Sequence, residues 1–592
     1  MDKKRIWSFV GASMSTMVFP YILKNFNEKE ALSNSIFTLI LFFSFYEVLD
    51  YAIKHSDYRL RKLAIIWGML TSFCMIIGAN IIKNEVTEIS QIDTWVKIIL
   101  LFPLMACTFI LLFCLIRNIA LCSEKSVRTS ISSRKCFMIC WFGIFFVWIP
   151  SFFSAYPGIY AYDCIHQIKW YIDGNVYTHH PIIHTYLLSF FIIKLGRDLF
   201  GSLEIGLFLY SIFQMLCMSA IFSAVYTFYI KEKLKSKWRY VILAWFAFYP
   251  VNAILAFSAT KDVLYAGIFM LCMMLSVMVI EKEDILTSKR FCFLFGLLWF
   301  GEMIFRNQGK YVFAVGIVFL LLAVKKYRKR LLVLTLIICI LFGVYDGPVT
   351  TAIAYRRGDT INEMMSIPCV QLSRAMLYDK LNEEEEQLIT EYIPDYESYG
   401  QFPAIADSMK STFNSAKFRE NPIEFIKLWG KVGVKHLDTY IDAFSRITIG
   451  FWYPDMNYRD EGAFHPYWEW LSIGQNDPTP FIDYTLVKRE PVKGFRWLEK
   501  FNYTLTYDNW YQKIPMVSML FSSGIVIWCV FFYALYAVYY KKYRYLAVAS
   551  IPVALWLTLL LGPVVLYRYI YPIVLTVPVL FASCSGLPDV KI

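Results

Sequence analysis

The chain has 592 residues, of which 58% are hydrophobic, 18% aromatic and only 18% charged, a balance too apolar for a soluble globule and typical of a polytopic membrane protein. Its net charge of +12 does not point to nucleic acid. The basic residues fall in short clusters that each abut a hydrophobic stretch, which suits the headgroups of a lipid bilayer better than a nucleic-acid backbone.

A hydrocarbon layer about 30 Å thick needs roughly 20 apolar residues per crossing helix, and on that scale the sequence holds about fourteen spans. They fall near 6–23, 33–53, 63–82, 98–116, 136–154, 203–230, 240–258, 263–280, 291–306, 311–324, 331–349, 513–540, 545–562 and 564–583. The first follows a basic start, as a signal peptide does, but lacks a small-residue cleavage site and reads as a retained helix. Lys/Arg-rich clusters at Lys3–Arg5, Lys54–Lys62, Arg117–Lys135, Lys231–Arg239, Lys282–Arg290, Lys325–Arg330 and Lys541–Arg544 separate the spans. Basic loops mark the cytoplasmic side, so a multi-pass protein of the cell membrane with a cytoplasmic N-terminus is expected.

This orientation divides the chain into a four-helix membrane extension (1–135), a membrane core (136–349) with an outer loop at 155–202, an extracytoplasmic helical cap (350–512) and C-terminal membrane helices (513–592). The expected fold class is all-α. Residues 181–196 are apolar enough to suggest a short span. A crossing there would put every later basic cluster outside, so this segment reads as a re-entrant or juxtamembrane helix on the outer face. In the cap, the acidic run Glu383–Glu386 after Asn382 suits a helix start. Phe425, Leu428, Val432, Val434, Leu437, Ile441 and Phe444 recur at helical spacing across 424–446. Of 14 cysteines, Cys164 and Cys369 alone fall outside the spans on the outer side, which excludes a disulfide framework and leaves a single bridge open.

The predicted outer ends carry the candidate chemistry. Asp163 follows an aromatic, Pro- and Gly-containing stretch (156–162), where partial desolvation raises the proton affinity of a carboxylate and suits it to general-base catalysis. Capping of a helix that starts at Cys164 is the structural alternative. His179 and His180 precede Pro181, and His180 and His184 share a helical face. Two imidazoles at this spacing can bind zinc, but without a glutamate between them no metal site is assigned, and contact with a phosphate or hydroxyl fits equally. Lys261 with Asp262, Arg306 after Glu302, and Arg568 with Tyr569 place cations on the outer side, against the inside bias. Each requires a partner, either a lipid phosphate or a local carboxylate: Asp262 for Lys261 and Glu302 for Arg306. No Gly-x-x-x-x-Gly-Lys-Ser/Thr loop is present, which disfavours an ATP-driven transporter subunit.

The aromatic-Pro-Gly stretch leading to Asp163, His180-Pro181 opening an outer-face helix and Arg568-Tyr569 opening the last span together resemble the GT-C superfamily of membrane glycosyltransferases, over about 136–350 and 513–583. The resemblance implies a base in the first large outer loop, the place Asp163 holds. It also implies a polyprenyl-phosphate-linked sugar as donor, its phosphate held by basic residues for which Lys261, Arg306 and Arg568 are the counterparts. The acceptor would be a glycan, lipid or protein of the cell envelope. Where members carry Lys-Pro-Pro or Glu-Lys-Pro-Pro, this chain has Thr178-His179-His180-Pro181, without the acid or the lysine. No Asp-x-Asp stands in the outer loops, so a metal-dependent branch is not supported, a divalent metal being left open, and the implied reaction requires no nucleotide or redox cofactor. Ser366-Ile367-Pro368 with Arg374, and Phe451-Trp452-Tyr453-Pro454, look like segments of a bacterial branch of membrane proteins and bring no substrate. Trp452, Tyr453, Trp468 and Trp470 are available in this reading to stack on sugar rings. The rival readings are a transporter or flippase of lipid-linked glycan, and a non-catalytic membrane scaffold.

Overall fold

The computed structural model describes residues 3–587 except 24–34, 122–131, 160–161, 356–357, 359–360, 457–490, 507–509 and 515–516. Among the described residues every regular element is helical, apart from a lone parallel bridge between Ile159 and Ser258. A chain this apolar has to bond its backbone to itself in lipid, and helices do so within one segment.

The first helices, in order, are α1 (Lys3–Ile22), α2 (Ser35–Lys54), α3 (Tyr58–Asn84), α4 (Ile92–Leu121) and α5 (Ser133–Phe153). Two shorter helices follow, α6 (Tyr162–Ile172) and α7 (Ile182–Ser189), the second continuing as π-helix through Leu199. Next come α8 (Leu203–Val225), α9 (Ser236–Phe248), α10 (Pro250–Ala256), α11 (Lys261–Glu281), α12 (Lys289–Phe305), α13 (Gly309–Ala323) and α14 (Arg328–Val344). Eight described helices are long and apolar enough to cross a membrane, or nine if α9 and α10, bent by 46°, form one span. The sequence suggested about fourteen. Part of the difference lies in apolar helices too short to qualify by length, such as α13.

The cap is built on α15 (Ser366–Tyr378), α16 (Glu383–Tyr392), α17 (Pro422–Lys435) and α18 (Leu437–Thr448). Asn382 and Glu385 close a reciprocal capping box at the start of α16, the use the acidic run suggested. Cys369, Leu372, Ile389, Tyr392, Phe425 and Val432 form a core separate from that of the bundle. The stretch 424–446 is not one helix but breaks at His436, which leaves Val434 and Leu437 exposed instead of buried. The chain returns through α19 (Arg496–Thr506) to α20 (Ile525–Tyr539), α21 (Leu546–Leu559) and α22 (Tyr567–Ser583).

The two ends of the bundle differ in chemistry. At one end, acidic residues tie the basic clusters together. Lys233 pairs with Glu281 at 2.7 Å, Glu283 pairs with Arg544 and accepts the backbone N–H groups of Lys325, Lys326 and Tyr327, and the Tyr539 hydroxyl donates to Asp57. At the other end sits the cap. The Thr87 N–H donates to Asp442 at 2.8 Å, Ala406 N–H to Pro563 O at 2.8 Å and Gly358 N–H to the Thr178 hydroxyl at 2.8 Å. Residues 182–199 begin at this cap end and turn back at Gly201 into α8. The far end of the helix begun by α8, Lys231–Lys233, lies among the basic clusters. The short apolar helix therefore starts and finishes at the cap end of the bundle. Gly196 and Gly206 let it lie against α8: a Cβ on Gly196 would come within 2.5 Å of Gly206 Cα.

Candidate functional site

Backbone bonds fix two short connections side by side at the cap end. The Ile159 N–H donates to Phe257 O at 3.1 Å and the Ala259 N–H to Ile159 O at 2.9 Å, so the loop before α6 runs beside the loop before α11. Gly158 makes this approach possible, since its φ of +142° disfavours L side chains and a Cβ there would lie 2.2 Å from Ser211 Oγ. From below, Gln214 Nε2 reaches the carbonyls of Leu255, Ala256 and Ser258. Thr260 caps α11, so Lys261 and Asp262 leave the loop in fixed directions. Asp163 is the second residue of α6 and lies within its first turn, where it does not serve as the cap.

The result is a chain of opposite charges drawn from five segments. Lys261 Nζ lies 2.6 Å from Asp163 Oδ2 and also donates to His180 Nδ1 at 3.1 Å. Arg568 bridges the two carboxylates, with Nη2 3.5 Å from Asp163 Oδ2 and Nε 3.6 Å from Asp262 Oδ2. Arg306 Nη1 lies 3.4 Å from Asp262 Oδ1 and donates to the backbone oxygen of Tyr569, whose ring sits 4.9 Å from the Arg306 guanidinium. Asp163, His180, Lys261, Asp262, Arg306, Arg568 and Tyr569 thus meet in one place. His179 does not join them. It is exposed, touches His180 edge-on at 4.7 Å and, among the described residues, makes no bond to the carboxylates or cations.

Both local pairings considered from sequence give way to longer-range ones. Lys261 pairs with Asp163 and not with its neighbour Asp262, and Arg306 pairs with Asp262 and not with Glu302. The Glu302 carboxylate instead accepts the Tyr265 hydroxyl at 2.9 Å. His180 and His184 also diverge. His180 stacks on Trp170 at 5.2 Å, while His184 bonds Gln167 at 3.0 Å and the Tyr210 hydroxyl at 2.9 Å. Cys164 and Cys369 are separate buried thiols. Tyr453 is buried against Gly78 and cannot stack on a ligand, Trp452 is half-buried, and Trp468 and Trp470 lie outside the described residues.

The charge state of Asp163 is the reverse of that expected from its position. Burial alone would push its carboxyl up, but Arg568, Lys261 and the Lys261 hydrogen bond hold it well below the ordinary carboxylate range. Burial and the adjacent Lys261 ammonium hold His180 well below the usual imidazole value. Because Lys261 donates to Nδ1, the neutral His180 ring carries its proton on Nε2 and offers an N–H there. Burial pushes His184 down to about 3.

A small cleft of about 50 Å³ adjoins the cluster across His180. Thr178, Asn307, Lys310 and Asp346 line it together with the apolar Met303 and Phe342. Asn307, Lys310, Trp170 and Tyr265 were not singled out from sequence. Trp170 had a readable signal, since Asp163, Gln167 and Trp170 stand at i, i+4 and i+7 on one face of α6.

A model for a family of unknown function, DUF6020, matches residues 172–585, well over half of the chain. The matched region takes in His180, Lys261, Asp262, Arg306 and Arg568, and Asp163 lies just upstream of it. No curated protein and no solved structure matches the chain.

Proposed function

The chain belongs to the family DUF6020, and we propose that it is a membrane glycosyltransferase of GT-C type that moves a sugar from a polyprenyl-phosphate donor to a cell-envelope acceptor on the outer face. One observation carries this reading: a carboxylate from the first large loop, three cations and a neutral imidazole meet at the end of the bundle opposite the basic clusters. Three cations set against two carboxylates leave a surplus positive charge beside a cleft lined by both polar and apolar side chains. A lipid phosphate has that character.

In this scheme the bundle crosses the cell membrane about fourteen times, with the shorter helices α13, α20 and α21 also spanning. The donor phosphate lies between Lys261, Arg568 and His180, with the His180 Nε2–H and the nearby Lys310 as further donors. Asp163 takes the proton of the acceptor hydroxyl. The acceptor oxygen bonds to the anomeric carbon as the bond from that carbon to the phosphate oxygen breaks, with inversion. Polyprenyl phosphate leaves with one more negative charge than it carried in the donor, and Arg568, paired at that stage with Asp262, stabilises the growing charge. The cap covers the site and restricts which acceptor reaches it.

Purified full-length protein in lipid nanodiscs, offered a panel of polyprenyl-phosphate sugars, is expected to transfer at least one of them. Replacement of Asp163 by Asn is expected to lower the rate by about a hundredfold or more, the usual contribution of a general base, with insertion and thermal stability retained. Full transfer by Asp163→Asn would remove Asp163 from the base role, and no transfer from any donor would sink the reading.

A further inference from the structure

We infer that Lys261 and Arg568 suppress the basicity of Asp163 until a phosphate anion draws them away, so that the phosphate ligand itself switches on the base. The inference rests on the transferase reading and adds to it a control over when Asp163 can act.

Both cations bear on the same Asp163 oxygen, Oδ2, at 2.6 and 3.5 Å. A proton arriving at that carboxylate would add positive charge between two existing cations, so in this arrangement Asp163 accepts one poorly. An acceptor hydroxyl could not be activated there without rearrangement. Each cation has an alternative that makes its release feasible. The Lys261 ammonium sits on a flexible stem, and its other contact is the neutral His180 Nδ1, whose ring forms part of the cleft wall. Arg568 keeps Asp262 when it turns from Asp163, and Asp262 also holds Arg306. The surplus positive charge attracts an anion without protonation of either carboxylate. An anion arriving beside His180 therefore competes for Lys261 at short range.

Two consequences follow for the reaction. Phosphate binding precedes deprotonation of the acceptor, which protects the site from idle proton transfer. The product phosphate, more highly charged than the donor's diester, holds the two cations longer and inhibits the next turnover.

The groups facing Asp163 are Cys164 and His166 on its own helix, Lys261 on α11, Arg568 and Tyr569 on α22, His179 and His180 in the loop before α7, and His184 in α7. Carbodiimide labels protonated carboxyls, so mass spectrometry of labelled full-length protein across a pH series reads the basicity of Asp163 directly. With saturating farnesyl phosphate, labelling of Asp163 is expected to extend at least about one pH unit higher than without it. Lys261→Gln is expected to show this higher profile without ligand and to lose most of the further shift on adding it. An unchanged profile with bound farnesyl phosphate overturns the inference. So does an undiminished shift in Lys261→Gln, which would mean that the charge of the anion acts alone. Inorganic phosphate as a parallel probe separates the sources: a shift as large as that with farnesyl phosphate assigns the trigger to the headgroup, and a shift with farnesyl phosphate alone assigns it to the lipid. The wild-type measurement stands even if a variant fails to fold. An Asp163→Asn enzyme that loses transfer, together with an unshifted wild-type profile, would keep the transferase and discard the switch. The opposite pair of results would discard the base and keep the displacement of cations.

Discussion

His180 and His184 are buried and neutral, and their depressed proton affinities fix how the fold responds to acid. For each, the unfolded chain binds a proton near pH 6.5 and the folded chain does not. Their contribution is therefore complete above about pH 6.5 and declines as the pH falls below it, by about 1.4 kcal/mol per pH unit for each ring. The depressed Asp163 carboxyl keeps its contribution above its ordinary value of 3.8 and loses it only at lower pH. Thermal unfolding in detergent is thus expected to be flat from pH 8 to 7 and to weaken from about pH 6 downward, with His184→Asn flattening that decline. A midpoint unchanged down to pH 5 would contradict the neutral assignment. A second test concerns Gln214, fully buried, whose amide serves three carbonyls. Gln214→Leu strands them and is expected to cost about 2 kcal/mol or more, read as a lowered midpoint together with loss of transfer. At this scale the titratable members of the cluster were legible, because cations at helix ends away from the basic clusters and an aspartate among aromatics each break a local rule. Their pairing was not. Asp163 meets partners 98 and 405 residues away, and such separations leave no periodic signal in one sequence. The sign of the Asp163 shift failed for the same reason, since burial was readable and the neighbouring cations were not.

At the scale of elements, the helix at 182–199 depends on a close glycine contact with α8. A Cβ on Gly206 would approach Ile192 Cα to 2.6 Å and Ile192 O to 2.7 Å, both backbone atoms that cannot swing aside. Gly206→Leu is expected to push the 182–199 helix away and to disturb the His184–Tyr210 bond at its start. Loss of transfer with the bundle still folded would show this, and wild-type activity would argue against it. The apolar run was readable from hydropathy. Its π-helical second half was not, because that geometry answers to packing against α8. In α17 and α18 the periodicity carried straight through the break at His436, across which the Tyr440 ring packs against Gly433.

For the whole molecule, the distribution of charge between the two ends makes a direct prediction of orientation. A single cysteine introduced at Glu384 in an otherwise cysteine-free protein is expected to react with an impermeant maleimide in intact cells, and one at Lys326 only after permeabilisation. The reverse pattern would put the carboxylate–cation cluster in the cytoplasm and end the transferase proposal. Hydropathy alone was enough to read a helical membrane protein with a large polar insertion, because both follow from composition along the chain. The tethering of that insertion was beyond reach, resting as it does on bonds such as Thr87 to Asp442 that join segments 355 residues apart.

Those bonds bear on how the N-terminal helices are understood. Asp442 is shared between Thr87 and Arg374, Arg446 pairs with Glu85, and Tyr453 is seated on Gly78. Three points in the 350–512 region therefore lean on α3 and the turn after it, in a stretch that precedes the family match. The first four helices act as a buttress that holds the roof at a set height over the charged floor. Trimming the chain to its matched region would keep His180, Lys261, Asp262, Arg306 and Arg568 but remove both Asp163 and the helix on which the cap rests.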